Sequence, residues 1–545
     1  MNSNKIIKQK QSLNIEEYNL LLNSGLKYLY EKNYPKAKDV FFKLITLEES
    51  RYEGFLNLSN IMVLKKKNLD AEKILLNYIN KNNYNIKIIS ALATLYYNIK
   101  DYEKLDILIE KYIKLEDNYL LDYLKSTIHE KNNNTEKQIN YLKKTIKKNK
   151  DFWQAYEKLI NLFEKLNKID DLSKIITLAK NNFKNNKKIN FYFALCLFRK
   201  NKAELALIKL NFEQTEKDFS SLHNKTYLIN FYDLVSKIYL NLKKYELSLK
   251  YAVKRNSISI NNKDNKKHNK KVVIDTIKKY QIYFKSNLIN LDKKNNFGLS
   301  HENLVFLVGF PRSGTTLIDS ILRSHSKTIV LEEKPYLINI RHKFFKKNNL
   351  ESIGSITKNE IINLQNIYFN SFNYDHEKVI IDKFPLNLIE LGFIKKIFPK
   401  SKVILALRHP LDTILSCVLT SFKMNDAMAN FENLHTSAFF YNEVFSVFNI
   451  YKNFFKLNYH QIKYENIVTN FNNEISLLLK FLNLKNEEAL KSYYITAKNR
   501  QKINTPSYHQ VIKPIYNQSI NRYKNFTDIE SIRPLVKKWI QEFNY

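Results

Sequence analysis

The sequence predicts two parts with different architectures: a superhelix of paired α-helices, followed by an α/β domain with a parallel sheet. Between about residues 17 and 290, apolar residues recur at helical spacing, and glycine and proline are nearly absent. After residue 304, short apolar strands alternate with helical segments, as they do in parallel sheets. A chain of 545 residues also exceeds what one hydrophobic core usually supports. We therefore divide it into an N-terminal tail (1–16), a helical-repeat domain (17–290), a linker (291–303) and an α/β domain (304–545).

The helical part repeats with a period of 33 or 34 residues. Corresponding positions fall at Ala37, Ala71, Leu105, Gln138, Leu172 and Leu205, and after a longer step at Ser248. The first copy has Gly25, Tyr28, Ala37 and Phe41 at the offsets of the tetratricopeptide repeat, which this region therefore resembles. Six or seven repeats are expected; accidental spacing in an ordinary helical domain is the alternative. Stacked repeats of this kind form a concave face that binds peptides or partner proteins.

Four short apolar strands are expected in the second part, at residues 304–308, 328–331, 378–381 and 402–407. Ligands of parallel sheets lie beyond the carboxyl ends of the strands. Unusual charged turns follow Val308, Ile381 and Leu407. The chemistry of the protein is therefore expected at these three strand ends.

The turn after the first strand has the layout of a phosphate-binding loop. Residues 305–316 read Val-Phe-Leu-Val-Gly-Phe-Pro-Arg-Ser-Gly-Thr-Thr, in which Gly309 and Gly314 are separated by four residues. Backbone N–H groups and a helix N-terminus hold anionic oxygens in such a loop. Thr315 stands where ATP-using enzymes have lysine, which argues against phosphoryl transfer from ATP. The cation of this loop is Arg312.

The Pro-Arg-Ser-Gly-Thr-Thr turn resembles the 5′-phosphosulfate loop of sulfotransferases that use 3′-phosphoadenosine 5′-phosphosulfate (PAPS). The form Arg-Ser-Gly-Thr-Thr is similar to that of tyrosylprotein sulfotransferases and their bacterial relatives, and the resemblance runs from residue 304 to about 526. It implies a P-loop-like sulfotransferase domain that takes PAPS as donor substrate and needs no metal. The implied donor-binding residues of the loop are Arg312, Ser313, Gly314, Thr315 and Thr316.

A second anion site is implied at the third charged turn. Arg408 and Ser416, eight residues apart, resemble the residues that grip the 3′-phosphate of the donor. The animal enzymes have a further arginine four residues after the serine, where this chain has Thr420. Either Lys423 or another basic residue compensates, or the 3′-phosphate is held less tightly.

The resemblance also implies the catalytic groups. In this family the catalytic glutamate lies 21 residues beyond the loop arginine, which indicates Glu333 as the general base, with Glu332 as the alternative. Lys383 matches the lysine that the family places near the bridging oxygen of the donor, where it stabilises the leaving group. Catalytic roles are thus implied for Glu333, Arg312, Lys383 and Ser507.

The remaining implied contacts come from late in the chain. Ser507 matches a serine that contacts the phosphosulfate, and Tyr464 occupies a donor-contact position. The stretch through Lys513 to Arg522 resembles the segment that closes over the nucleotide.

The composition indicates which kinds of partner and location to expect. The formal charge is +36, but the basic residues are spread along the chain, so we interpret most of them as solvated lysines rather than a nucleic-acid site. A basic surface would still attract a polyanionic donor or acidic acceptors. The two cysteines, Cys196 and Cys417, allow neither a disulfide framework nor a cysteine metal site. With no apolar run of 18 residues, no transmembrane segment is expected, and the expected location is cytoplasmic.

Together these features predict a PAPS-dependent sulfotransferase with an N-terminal tetratricopeptide superhelix. The leading acceptor is a peptide or protein tyrosine bound by the repeats. A glycan, lipid or small-molecule hydroxyl is the alternative acceptor, because site chemistry transfers between relatives more reliably than substrate identity. A catalytically inactive repeat scaffold with a nucleotide-binding domain is the alternative of another class.

Overall fold

A computed structural model of the chain describes residues 14–545, except 83, 115–117, 223–224, 262–267, 287–301, 500–510, 516 and 518. The chain forms two compact units, Met1–Lys202 and Ala203–Tyr545. This division differs from the sequence boundaries at residues 290 and 304, which remain a proposal. No helix of the described residues is long and apolar enough to cross a membrane.

The first half of the chain is helical, as the periodicity predicts. Its helices are α1 (Ile15–Tyr30), α2 (Tyr34–Leu47), α3 (Tyr52–Leu64), α4 (Asn68–Lys81), α5 (Ile86–Ile99), α6 (Tyr102–Tyr112), α7 (Tyr119–Lys131), α8 (Thr135–Lys148), α9 (Trp153–Lys165), α10 (Ile169–Asn182), α11 (Ile189–Arg199), α12 (Ala203–Leu210), α13 (Phe212–Ser221), α14 (Thr226–Asn241), α15 (Tyr245–Asn261) and α16 (Lys270–Ser286).

One turn geometry recurs between the paired helices. In the described part of the chain, seven such turns have a residue with φ between 55° and 63°, in the left-handed region. These residues are Lys32, Lys66, Lys100, Asn133, Asn167, Asn201 and Lys243. Each lies five residues before a buried position of the following helix, and these positions are Ala37, Ala71, Leu105, Gln138, Leu172, Ala206 and Ser248. The shared geometry sets the number of repeats in these residues at seven.

The sixth position differs from the sequence prediction. Leu205 is 47% exposed, whereas Ala206 is fully buried. The turn at Asn201 fixes which face of α12 is buried, and this face begins one residue later than the sequence alignment assumed. The longer step to Ser248 accommodates the additional helix α13.

The second half contains a parallel sheet, as predicted. Its described strands are β1 (Leu304–Gly309), β2 (Thr328–Glu332), β3 (Val379–Lys383), β4 (Lys402–Leu407) and β5 (Tyr459–Lys463). All pair in parallel in the order β2-β3-β1-β4-β5. The sequence predicted the first four within about two residues at each end. It missed β5 at the sheet edge, because the residues Tyr-His-Gln-Ile-Lys contain no continuous apolar run.

The helices of this half are α17 (Thr315–Arg323), α18 (Tyr336–Phe345), α19 (Ser352–Ser355), α20 (Lys358–Phe369), α21 (Leu391–Ile397), α22 (Pro410–Leu419), α23 (Leu434–Phe455), α24 (Tyr464–Thr469), α25 (Phe471–Leu482), α26 (Tyr493–Asn499) and α27 (Arg533–Glu542).

The sheet is covered on both faces. Alternate residues of β1 point to opposite sides, so Phe306 joins one apolar cluster and Leu307 the other. The first cluster also takes in residues of α15 and α16. The ring of Phe284 in α16 packs against Gly392, where an added Cβ would lie only 2.4 Å from a ring atom. The last helices before residue 287 are therefore part of the core that supports the sheet.

Candidate active site

The three charged turns meet because their strands are neighbours. Strand β1 lies between β3 and β4, and its residues Leu307 and Gly309 pair in register with Lys383 and Ala406. The carboxyl ends of parallel strands share one sheet edge, so the segments that follow them lie side by side. This confirms that the predicted turns share one edge of the sheet.

The phosphate-binding loop joins β1 to α17. A Cβ at Gly309 would lie 2.6 Å from the Ala406 carbonyl oxygen and 2.7 Å from Ser313 Oγ, so only glycine fits there. Gly314 has φ of +97° and forms the N-cap of α17. The buried hydroxyl of Ser313 has no hydrogen-bond partner among the described residues. An unsatisfied buried hydroxyl in a loop at a helix N-terminus is suited to bind an anionic group.

Arg312 connects this loop to α22. Its backbone has φ of 71°, a strained value for a residue with a Cβ. Its Nε donates to Ser416 Oγ over 3.1 Å. The structure thus brings Arg312, in the loop after β1, into contact with Ser416, on the helix after β4.

Arg408 is almost buried beside the same loop. Its Nη2 donates to the Ser519 carbonyl oxygen over 2.5 Å, and its guanidinium lies 5.1 Å from the centre of the Tyr464 ring. Asp412 Oδ2 lies 3.9 Å from Arg408 Nη2. The buried Nε has no partner among the described atoms, although the residue is only 8% exposed. A buried guanidinium with an unused donor is a fit for a phosphate oxygen.

Several of these groups line one cleft. Its lining residues are Arg312, Gly314, Thr315, Thr316, Leu317, Arg408, Tyr464, Val468, Tyr493, Val511, Ile515 and Ser519. Six of the sequence-predicted donor contacts thus face one cavity.

A charge cluster lies at the end of β3. Lys383 Nζ is 2.9 Å from Glu333 Oε1, 3.5 Å from Glu332 Oε1 and 3.8 Å from Asp319 Oδ2. The lysine side chain is fully buried, and the three carboxylates fix its ammonium group at the sheet edge. Asp319, on α17, is a contact that the sequence analysis missed, although it is the single carboxylate of this helix and follows the phosphate-binding loop closely.

The two glutamates differ in access. The side chain of Glu332 is 7% exposed and that of Glu333 is 34% exposed. Glu333 has φ of 48°, and its N–H donates to the Lys383 carbonyl oxygen over 2.8 Å. Because β2 ends at Glu332, this strained residue turns its carboxylate back toward Lys383. Of the pair, Glu333 has the more exposed carboxylate.

Two other predicted donor-binding residues, Lys513 and Arg522, are not among the residues that line the cleft. Lys513 is exposed, and its carbonyl oxygen accepts from Tyr493 Oη over 3.1 Å. Arg522 is half-buried at the start of a short 3₁₀ turn, Arg522–Asn525. Ser507 lies outside the described residues. Thr420 Oγ1 donates to the Ser416 carbonyl oxygen over 2.6 Å.

His409 is held by packing. Its ring stacks on Tyr523 with centroids 4.4 Å apart, and Nδ1 accepts from the Leu411 N–H. Burial, aided by nearby Arg533, lowers the pKa of His409 to about 4. The imidazole is therefore uncharged at neutral pH. Among the described residues, no group of histidine, cysteine or acidic side chains could hold a metal ion.

The architecture is thus a helical-repeat region followed by a parallel sheet, with a loop of phosphate-binding layout at the carboxyl edge of that sheet. Residues 304–488 match the family model described as Sulfotransferase family, so this part of the chain is a sulfotransferase-family domain, a match that supports sulfuryl transfer.

Two curated relatives match parts of the chain. An uncharacterized protein of Aquifex aeolicus is 26% identical over 235 residues, covering 41% of this chain and 30% of its own length. The protein-tyrosine sulfotransferase A of Caenorhabditis elegans is 28% identical over 137 residues, covering 22% of this chain and 36% of its own length. This chain thus matches about a third of the length of each relative.

Solved structures resemble the two parts separately. A tetratricopeptide repeat protein from Parabacteroides merdae is 18% identical with a TM-score of 0.33, covering 44% of this chain and 92% of its own. The sulfotransferase domain of the Synechococcus olefin synthase is 18% identical with a TM-score of 0.32, covering 47% of this chain and 98% of its own. Scores this low add nothing to the fold described above.

Proposed function

We propose that this protein is a PAPS-dependent sulfotransferase that moves a sulfuryl group to an acceptor hydroxyl, with a peptide or protein tyrosine as the leading acceptor. One observation supports PAPS as the donor. Arg312, Ser416, Arg408 and the unsatisfied Ser313 hydroxyl gather beside one cleft in the family-matched domain. PAPS has anionic groups at both its 5′ and 3′ positions, and a pair of separate cationic anchors suits it.

In this proposal the loop and the second anion site bind opposite ends of the donor. The backbone N–H groups of residues 313–316 and the N-terminus of α17 would hold the 5′-phosphosulfate, together with Arg312. Arg408, with Ser416, would hold the 3′-phosphate through its unused Nε donor. Tyr464 would offer its ring face beside them. No metal is assigned, because transfer of this kind needs only aligned oxygens and positive charge where the leaving group forms.

The catalytic step uses the charge cluster. The Glu333 carboxylate takes the proton of the acceptor hydroxyl while the hydroxyl oxygen of the acceptor attacks the sulfur of the donor. The new oxygen–sulfur bond forms as the bond between sulfur and the bridging phosphate oxygen breaks. The electron pair of that bond stays on the phosphate, where Lys383 stabilises it. Ser507 is assigned a supporting contact to the phosphosulfate, on the family resemblance alone.

The proposed acceptor and location are supported by the repeats, a relative and the cysteines. Tetratricopeptide-like repeats are peptide-binding scaffolds, which suits a protein acceptor, and the matched Caenorhabditis elegans relative is named as a protein-tyrosine sulfotransferase. A cytoplasmic location is supported by the two cysteines, Cys196 and Cys417, which are both buried and unpaired.

Calorimetry tests the donor assignment. The full-length protein should bind 3′-phosphoadenosine 5′-phosphate at least about tenfold more tightly than AMP or ATP, because only that nucleotide fills both anchors. Arg408→Lys keeps the charge but loses the planar fork, so it should weaken binding of that nucleotide and leave AMP binding unchanged. Equal affinity of the wild-type protein for AMP would contradict the assignment.

Radiolabelled PAPS tests the acceptor. Incubation with pools of peptides, glycans and lipids should place label on tyrosine-containing peptides. Label on a glycan or lipid would overturn the tyrosine assignment and keep the sulfotransferase. Tight nucleotide binding with no label on any pool would favour the inactive scaffold.

A further inference from the structure

Helix α22 is anchored at its carboxyl end by a buried arginine from the helical half of the chain. Arg255, on α15, is 1% exposed. Its Nη2 donates to the carbonyl oxygens of Val418 over 2.8 Å and Thr420 over 3.0 Å, and its Nη1 donates to that of Leu419 over 3.2 Å. One guanidinium thus satisfies three carbonyls at the end of one helix.

A neighbouring amide strengthens this anchor. Asn256 Nδ2 donates to the Val418 carbonyl oxygen over 2.9 Å and to the Phe431 carbonyl oxygen over 2.9 Å. Its Oδ1 accepts from both Nε and Nη2 of Arg255, at 3.0 and 2.8 Å. The two side chains therefore hold each other in place as well as the end of α22.

The arginine also has a partly buried counter-ion. Asp233, on α14, lies 2.8 Å from Arg255 Nη1 and 2.6 Å from Lys237 Nζ. Burial would raise the pKa of Asp233, but the two cations beside it hold that pKa below its ordinary value. The pair is thus ionised, and the guanidinium is fixed from the repeat side as well as from the α22 side.

The anchored end of α22 is close in sequence to Ser416, which lies on the same helix. The last carbonyls of a helix have no partner within the helix, and a cation there also meets the negative end of the helix dipole. Thr420, held by Arg255, donates its hydroxyl to the Ser416 carbonyl oxygen over 2.6 Å. Ser416 in turn accepts from Arg312 Nε. A continuous set of contacts therefore runs from α15 through Thr420 and Ser416 to Arg312.

We propose that Arg255 is a positioning residue of the donor site, through which helices α14 and α15 fix Ser416 in the place where it binds the 3′-phosphate. The proposal rests on the proposed function, because it requires a 3′-phosphate to be bound. With 1% of its surface exposed, Arg255 does not contact the donor itself. The seventh helix pair is therefore a structural part of the donor site rather than only a recruiting module.

The test compares two nucleotides in full-length variants. Arg255→Lys keeps the charge but cannot reach three carbonyls at once. It should lower the affinity for 3′-phosphoadenosine 5′-phosphate by about tenfold while leaving the affinity for AMP unchanged, because only the former uses Ser416. Lys254→Met is the matched control, since Lys254 lies 3.7 Å from Glu216 and is 44% exposed. It should keep the wild-type ratio of affinities.

A double-mutant cycle separates positioning from a general loss of stability. In a Ser416→Ala background, Arg255→Lys should have no further effect on the ratio, because the group it positions is absent. An additive effect, or a wild-type ratio in folded Arg255→Lys, would overturn the proposal. If Arg255→Lys does not fold, Asn256→Ser takes its place and should show a smaller change in the same direction; an unchanged ratio there overturns the proposal.

The affinities of the unaltered protein for the two nucleotides distinguish a failure of the proposed function from a failure of the role proposed for Arg255. If the unaltered protein does not prefer 3′-phosphoadenosine 5′-phosphate over AMP, the proposed function fails and the positioning role with it. If the unaltered protein shows that preference and the variants retain it, the proposed function stands and only the role of Arg255 is overturned.

Discussion

Replacing Glu333 by glutamine tests the catalytic assignment most directly. The substitution keeps the shape of the side chain and removes its basicity. A general base typically contributes about 10²- to 10⁴-fold to a rate, so turnover should fall by that factor. Donor affinity should change little, because Glu333 does not line the donor cleft.

The structure also indicates that this variant will fold. Glu333 loses an ion pair with Lys383, but its side chain is 34% exposed and Glu332 remains 3.5 Å from the same ammonium group. Asp319 also remains 3.8 Å from it, so the buried ammonium group keeps two carboxylates beside it. The strained backbone at residue 333 is unchanged, since glutamine and glutamate have the same Cβ.

Glu332→Gln is the matched control, with the same chemical change one residue away. Its side chain is 7% exposed, so an acceptor does not reach it, and turnover should stay close to wild type. Both variants are assayed with radiolabelled PAPS at saturating donor, with folding checked by circular dichroism. Near-normal turnover in folded Glu333→Gln, or a larger loss in Glu332→Gln, would refute the assignment.

Two further predictions concern stability. Burial raises the pKa of Asp382 to about 7, against about 3.9 in an unfolded chain. Between those values the folded state keeps a proton that the unfolded state has lost, so the free energy of unfolding falls by up to ~1.4 kcal/mol per pH unit as pH rises. Asp382→Asn should remove this contribution, and equal pH slopes for both proteins in urea denaturation at pH 5 and 7 would contradict it. In the sixth repeat, Ala206→Leu should destabilise the protein by about 1–3 kcal/mol through overpacking, whereas Leu205→Ala should cost less than about 0.5 kcal/mol. Similar melting temperatures for these two variants would show that the repeat register is wrong.

Much of the fold followed from local patterns. A 34-residue helical period indicated stacked helix pairs, and apolar runs ending in charged turns indicated four of the five described strands. These signals are readable because one face of each helix and both faces of each central strand must be buried. The register in the sixth repeat was not readable, since Leu205 and Ala206 both suit a buried face and only the turn at Asn201 selects between them.

The sequence by itself determined which chemical groups are present: a loop with Arg312 in place of a P-loop lysine, the Arg408 turn, and a pair of glutamates. Only the tertiary structure decided their relations. Strand order brought three turns to one edge, burial separated Glu332 from Glu333, and Arg255 met the end of α22 from more than 160 residues away. Such contacts depend on where distant segments pack, and because local propensity carries no information about a partner far along the chain, no single-sequence pattern could reveal them.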